Sequence, residues 1–189
     1  MSGKHQPQVA TTIAAMRTNV GSCEVDDDPA RVDVPAAVEF LVTEAYWATW
    51  RDAETIARQI REAWRVVGAY DAAGAMVGFA RAFGDGTSYY LTDVYVLPSH
   101  RGTGLGKAIM RAMIDDGPGA DSRWMLHTTD AHGLYQQFGF ADPDSRYLER
   151  PGRPDLATMR GLGRATRPQI ERSADRKSNT IMPQIESQD

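Results

Sequence analysis

The chain carries one cysteine, Cys23, in 189 residues. That excludes a disulfide framework and a cysteine-built zinc site within one chain, and it fits a reducing, cytoplasmic setting. No apolar run approaches the roughly 20 residues a membrane helix needs, so no membrane partner is expected. A surplus of positive charge is also missing: 21 basic side chains stand against 25 acidic ones, net −4. Nucleic-acid binding by phosphate neutralisation requires the opposite balance, and no nucleic-acid partner is expected. No repeat and no metal-ligand spacing is visible. What remains is an ordinary folded composition, 42% apolar and 24% charged, of a length for one domain with tails.

The charges divide unevenly. Residues 151–189 hold seven bases and five acids with four prolines, so residues 1–150 carry 14 bases and 20 acids. The final segment reads as a polar, disordered tail with a short helical stretch around 169–177. The first 23 residues hold no acid and only Lys4 and Arg17 as bases. Their apolar stretch is interrupted by Thr11 and Thr12, so residues 1–22 read as a flexible extension, not a secretory signal, with a transit peptide as a weaker alternative. The folded domain is expected over 23–150.

Within it, Pro35 suits a first helical turn, and Val38, Leu41, Val42 and Ala45 follow at helical spacing. Asp52 is an N-cap candidate for a second helix that buries Ile56, Ile60, Ala63 and Trp64. Strands are expected at Arg65–Tyr70, Ala75–Phe83 and Ser88–Val96, joined by glycine-bearing turns. A helix from about Gly104 to Asp116, a strand at Arg123–Thr128, a short helix near Ala131–Phe138 and a last strand at Tyr147–Arg150 complete the pattern. This is an α/β (α+β) domain with a mixed sheet, in which an antiparallel meander receives a strand–helix–strand crossover.

The most informative segment runs from Val94 to Lys107. A strand ends at Pro98, and Gly102, Gly104 and Gly106 then open a helix. Alternate glycines let the backbone approach a ligand, and a helix N-terminus offers unpaired N–H groups and positive dipole charge. Together they form a cradle for pyrophosphate, with Arg101 and Lys107 adding charge. A Walker loop would need Gly at 101 and Ser or Thr at 108, where Arg and Ala stand. A dinucleotide fingerprint would need Gly at 107, where Lys stands.

At these residues the chain resembles the GNAT superfamily of acyl-CoA-dependent N-acetyltransferases. Arg101-Gly102-Thr103-Gly104-Leu105-Gly106 matches the Arg/Gln-x-x-Gly-x-Gly/Ala loop of that family, and Leu134-Tyr135-Gln136-Gln137-Phe138-Gly139-Phe140 matches a second signature at the expected distance. The segments Glu44–Trp47, Gly78–Arg81 and Asp130–Tyr135 are similar to a bacterial subgroup whose acceptors are mostly unassigned. The resemblance covers roughly 23–150. It implies a mainly antiparallel mixed sheet flanked by helices, with a V-shaped split between the two central strands. It also implies acetyl-CoA as cosubstrate, an amine acceptor and a monomer or homodimer.

Site roles follow from the same resemblance. The backbone of Val94, Tyr95 and Val96 would pair with the pantetheine arm, and residues Arg101, Gly102, Thr103, Gly104, Leu105, Gly106 and Lys107 would hold the pyrophosphate. Many relatives carry Asn where Thr128 stands; a hydroxyl supplies a hydrogen bond there but not the amide's paired donor and acceptor. Tyr135 matches the general acid that protonates the departing thiolate, a role open to a phenol with pKa near 10. The base is open between Asp93, Glu44, His127, His132 and a chain of waters. Strict alternation would put Asp93 on one face with Leu91 and Tyr95, as a base or as a paired structural acid. Tyr46, Trp47 and Trp50 cluster between the first two helices, where they would wall an acceptor or pack the helices. The expected activity is acetyl transfer to a small-molecule amine, with protein lysines or N-termini, or a non-catalytic acyl-CoA-binding module, as rivals. Cys23 matches no catalytic motif, which argues against an acyl-cysteine route.

Overall fold

Six strands form one sheet in the computed structural model, which describes residues 16–48 and 50–150. The strands are β1 (Arg17–Val20), β2 (Cys23–Asp26), β3 (Arg65–Tyr70), β4 (Met76–Gly84), β5 (Ser88–Val96) and β6 (Arg123–Met125). They lie in sequence order; the first four pairings are antiparallel and β5–β6 is parallel. The parallel step follows from the crossover helix α3 (Leu105–Met113) between them. Helices α1 (Val34–Thr43) and α2 (Ala53–Arg61) join β2 to β3, and α4 (His132–Tyr135) follows β6. The mixed, mainly antiparallel α/β architecture expected from the pattern is therefore present.

Local signals act where they were expected. Asp33 and Asp52 cap α1 and α2, each carboxylate accepting a backbone N–H three residues on, from Ala36 at 3.0 Å and Thr55 at 2.7 Å. Each helical layer buries its apolar stripe on one face of the sheet. Phe40, Leu41, Ile56 and Ile60 pack with Val66, Phe79 and Tyr95 on one side. Leu105, Ile109, Met110 and Met113 pack with Val25, Val67, Ala80 and Leu91 on the other.

Four expectations change. The sheet begins at Arg17, inside the segment read as an extension, because a β1–β2 hairpin turns at Gly21 with φ +60°. Trp64 lies beyond the end of α2, and it stacks on Tyr89 at 3.8 Å across the opposite sheet face. No strand forms at 147–150 among the described residues. The chain from Pro143 onward is a separate unit, in which the Arg146 guanidinium pairs with Asp144 at 2.5 Å. The stretches 1–15 and 151–189, with the helical segment expected near 169–177, lie outside the described residues.

The fourth change matters most for the site. Between the pairs Arg81↔Thr92 and Phe79↔Tyr95, β5 holds two residues, Asp93 and Val94, opposite the single Ala80. This is a β-bulge, and Asp93 takes φ +54° within it. The extra residue resets the alternation. Leu91 joins the α3 side, whereas Tyr95 turns to the α1–α2 side and stacks on Phe40 at 4.0 Å. Asp93 therefore does not share one continuous face with both.

Candidate active site

β5 and β6 pair only from Ser88↔Arg123 to Tyr90↔Met125. Past Tyr90 the pairing stops while β5 runs on to Val96, in keeping with the V-shaped split that the resemblance implies, and the bulge lies on this unpaired part of β5. Val94, Tyr95 and Val96 thus present main chain toward a gap that no strand fills among the described residues. An extended ligand arm with amide groups would complete the ladder there.

The glycine loop stands at the end of the same strand. Gly102 and Gly104 adopt φ +78° and +88°, a region that side chains bearing Cβ disfavour, and a Cβ on either would meet nothing within 4 Å. Gly104 is the N-cap of α3 and supplies no side-chain cap. The helix ladder starts with the Ala108 N–H donating to the Gly104 carbonyl at 3.1 Å, so the N–H groups of Leu105, Gly106 and Lys107 have no partner within the helix. Arg101 Nε donates back to the Val96 carbonyl at 2.9 Å, and Thr103 Oγ1 to the His100 carbonyl at 2.8 Å. These contacts tie the loop to the strand end while the exposed glycines leave open space above the helix. The arrangement fits a pyrophosphate.

Tyr135 sits at the end of α4, buried in the core cluster that holds Leu105 and Ile109, against which Val94 and Val96 also pack. Burial, with Asp130 and Tyr46 close by, pushes its phenol up to about 12. It stays protonated across neutral pH and can donate. The Thr128 hydroxyl oxygen accepts from the Ala131 N–H at 3.1 Å and so fixes the turn that leads into this helix.

Asp93, a candidate both as base and as paired structural acid, sits in a buried ion-pair network. Asp93 is 2% exposed, and Arg51 donates to both its oxygens, at 3.0 and 2.5 Å. Arg81 Nε adds a third bond at 2.6 Å, and both guanidiniums reach Gln59 Oε1, at 2.7 and 3.2 Å. Burial alone would raise the Asp93 carboxyl, but the bonds from Arg51 and the charge of Arg81 outweigh it and hold it below the usual carboxylate range. A carboxylate so placed is a poor proton acceptor. It ties the bulge to the α1–α2 loop through Arg51, to β4 through Arg81 and to α2 through Gln59.

Glu44 is exposed at the C-terminal end of α1. His132 is exposed on α4, and His127 Nδ1 shares a hydrogen bond with the Tyr90 hydroxyl at 2.5 Å. Tyr46 reaches the segment that precedes α4. Its hydroxyl bonds Thr129 Oγ1 and donates to Asp130 Oδ1 at 3.1 Å, and its ring meets Trp47 edge to face at 5.0 Å. Trp50 is 64% exposed and donates Nε1–H to the Trp47 carbonyl at 3.2 Å. Sequence reasoning missed Arg51, Arg81, Gln59 and Asp130, whose partners lie far away in the chain.

Comparison with known proteins adds an independent line. A family model described as an acetyltransferase (GNAT) domain matches residues 62–142. Serotonin N-acetyltransferase 2, chloroplastic, of Oryza sativa subsp. japonica is 40% identical over 86 residues, 43% of each chain, so the match spans less than half of that relative. A crystal structure from Xanthomonas campestris pv. campestris, described as an acetyltransferase belonging to the GNAT family, is 33% identical with a TM-score of 0.64, covering 71% of this chain and 96% of that one. A predicted acetyltransferase from Clostridium acetobutylicum, crystallised with acetyl-CoA, is 14% identical with a TM-score of 0.53, covering 68% and 96%, a likeness of fold.

Proposed function

Because the chain belongs to the GNAT acetyltransferase family, we propose that it transfers an acetyl group from acetyl-CoA to the amine of a small molecule, directly and within a ternary complex. One observation carries the reading: an open, left-handed glycine loop at the start of α3 stands beside a strand edge that lacks a neighbour among the described residues. The likeness to a serotonin N-acetyltransferase supports nitrogen as the acceptor atom. Cys23 is buried in β2, which supports direct transfer over a covalent acyl-cysteine route.

In this reading the main-chain N–H groups of 102–107 hold the pyrophosphate, with Arg101 and Lys107 beside it, and the Val94–Val96 edge aligns the pantetheine arm. Acetyl-CoA supplies the acetyl group as an activated thioester. Tyr135, held protonated, delivers the proton that the departing sulfur requires. Tyr46 and Trp47 wall the acceptor side, with Trp50 at the rim. Asp93 is committed to two guanidiniums, so the amine's proton leaves through solvent at the exposed mouth.

The test follows thiol release from acetyl-CoA across arylethylamines, polyamines, amino sugars and lysine peptides. Release that depends on a small amine supports the reading. A response confined to peptides and sensitive to flanking residues would move the acceptor to protein. Tight coenzyme A binding with no release for any amine would leave a binding module.

A further inference from the structure

Asp130 lies between β6 and α4, five residues before Tyr135. Tyr46, from the α1–α2 loop, bonds both Thr129 and Asp130, residues 83 and 84 positions further along the chain. These bonds join the loop wall to the segment that presents the phenol. Asp130 is exposed, its Oδ1 accepts from Tyr46 at 3.1 Å, and no guanidinium, ammonium or imidazole pairs with it among the described residues. Asp93 differs in kind, buried and neutralised by Arg51 and Arg81.

Among the described residues Asp130 is thus an uncompensated carboxylate, held in place by a tyrosine whose ring meets Trp47 edge to face. A carboxylate recognises an organic cation through a charge-assisted hydrogen bond, and an aromatic ring attracts one through its quadrupole. Neutral acceptors gain no ion pairing from it, and anionic ones are repelled.

We infer that Asp130, oriented by Tyr46, is the anchor for the ammonium group of a cationic acceptor. The inference rests on the amine-acetyltransferase reading above and adds a specificity-determining residue to it. Asp130 is the binding group, and Tyr46 is a positioning residue that acts through it.

The experiment titrates the full chain, loaded with coenzyme A, with tryptamine, phenethylamine and putrescine, and with tryptophol as a neutral analogue. The wild-type protein should bind at least one amine more tightly than tryptophol. Asp130→Asn keeps an oxygen for Tyr46 but loses the charge, and should weaken that amine by roughly 10- to 100-fold, the range for a lost charge-assisted bond. Coenzyme A and tryptophol affinities should not change. Asp130→Glu should recover part of the loss, and Glu39→Gln, an exposed acid on α1, should behave as wild type. Equal amine affinity in wild type and Asp130→Asn overturns the inference, as does a wild-type protein that prefers no amine to tryptophol. Turnover with acetyl-CoA separates the two readings. Amine binding that needs Asp130 without acetylation sinks the activity and leaves the anchor. Acetylation with the same KM in wild type and Asp130→Asn sinks the anchor and leaves the activity.

Discussion

Replacing Gly104 by Val separates two consequences of one position. Gly104 has φ +88° and open space where a Cβ would stand. A residue with a side chain loses about 1–2 kcal/mol in this backbone region, and a β-branched one more. The added methyl groups would also occupy the space above the unpaired N–H groups of the first turn of α3. Each hydrogen bond to a charged group contributes about 1.5–3 kcal/mol, so excluding pyrophosphate from two of them removes roughly 3–6 kcal/mol. That is about 10²–10⁴-fold in affinity. Gly74→Val supplies the control, since Gly74 has φ +83°, equally open surroundings and a place in the β3–β4 turn. Both variants should lose similar stability in thermal denaturation, and only Gly104→Val should lose coenzyme A binding in calorimetry. Unchanged affinity in a folded Gly104→Val, or an equal loss in Gly74→Val, refutes the cradle.

Three further outcomes are expected. Tyr135→Phe should lower turnover by about 10²–10⁴-fold with coenzyme A affinity intact; near-full turnover with chemistry rate-limiting would make the residue packing alone. Because its phenol is pushed up to about 12, the wild-type rate should show no Tyr135-dependent fall up to about pH 10, and a limb centred near 10 that disappears in Tyr135→Phe would contradict the buried assignment. Asp93→Asn leaves two buried guanidiniums facing a neutral amide and should destabilise the fold by about 3–5 kcal/mol, read from urea midpoints. The folded-state Asp93 carboxyl lies below its usual range, so the folded protein binds fewer protons than the unfolded chain. Its stabilising contribution is then present above about pH 4 and is lost as pH falls through the lowered value; the acid-side slope should be shallower in Asp93→Asn.

The features legible in the sequence are those whose causes are local. The glycine spacing at 102–106, the caps Asp33 and Asp52 and the helical stripe of α1 depend on residues within a turn of each other, and Pro98 marks where β5 ends. The β1–β2 hairpin escaped because four-residue strands with one or two apolar positions carry no clear period. The bulge at Asp93 escaped because nothing nearby announces an extra residue; it is stabilised by Arg51, 42 positions away, and by Arg81, 12 away. Alternation read across it misplaced Tyr95. Trp64 escaped for a similar reason, since its helical spacing suited α2 while its stacking partner lies on β5. Family likeness pointed to Tyr135, whereas the bond between Tyr46 and Asp130 joins residues 84 positions apart and follows no local pattern.

The central claim is that an acetyl group passes from coenzyme A to an amine without resting on the protein. Acetyl-CoA labelled with carbon-13 in the acetyl group, mixed with the full chain and an amine that promotes thiol release, tests it by rapid quench and mass spectrometry. The label should appear as an N-acetyl product, equal in amount to free coenzyme A, with no acetylated protein at any time point. Label on Cys23 before product forms, or coenzyme A released only with free acetate, would contradict it.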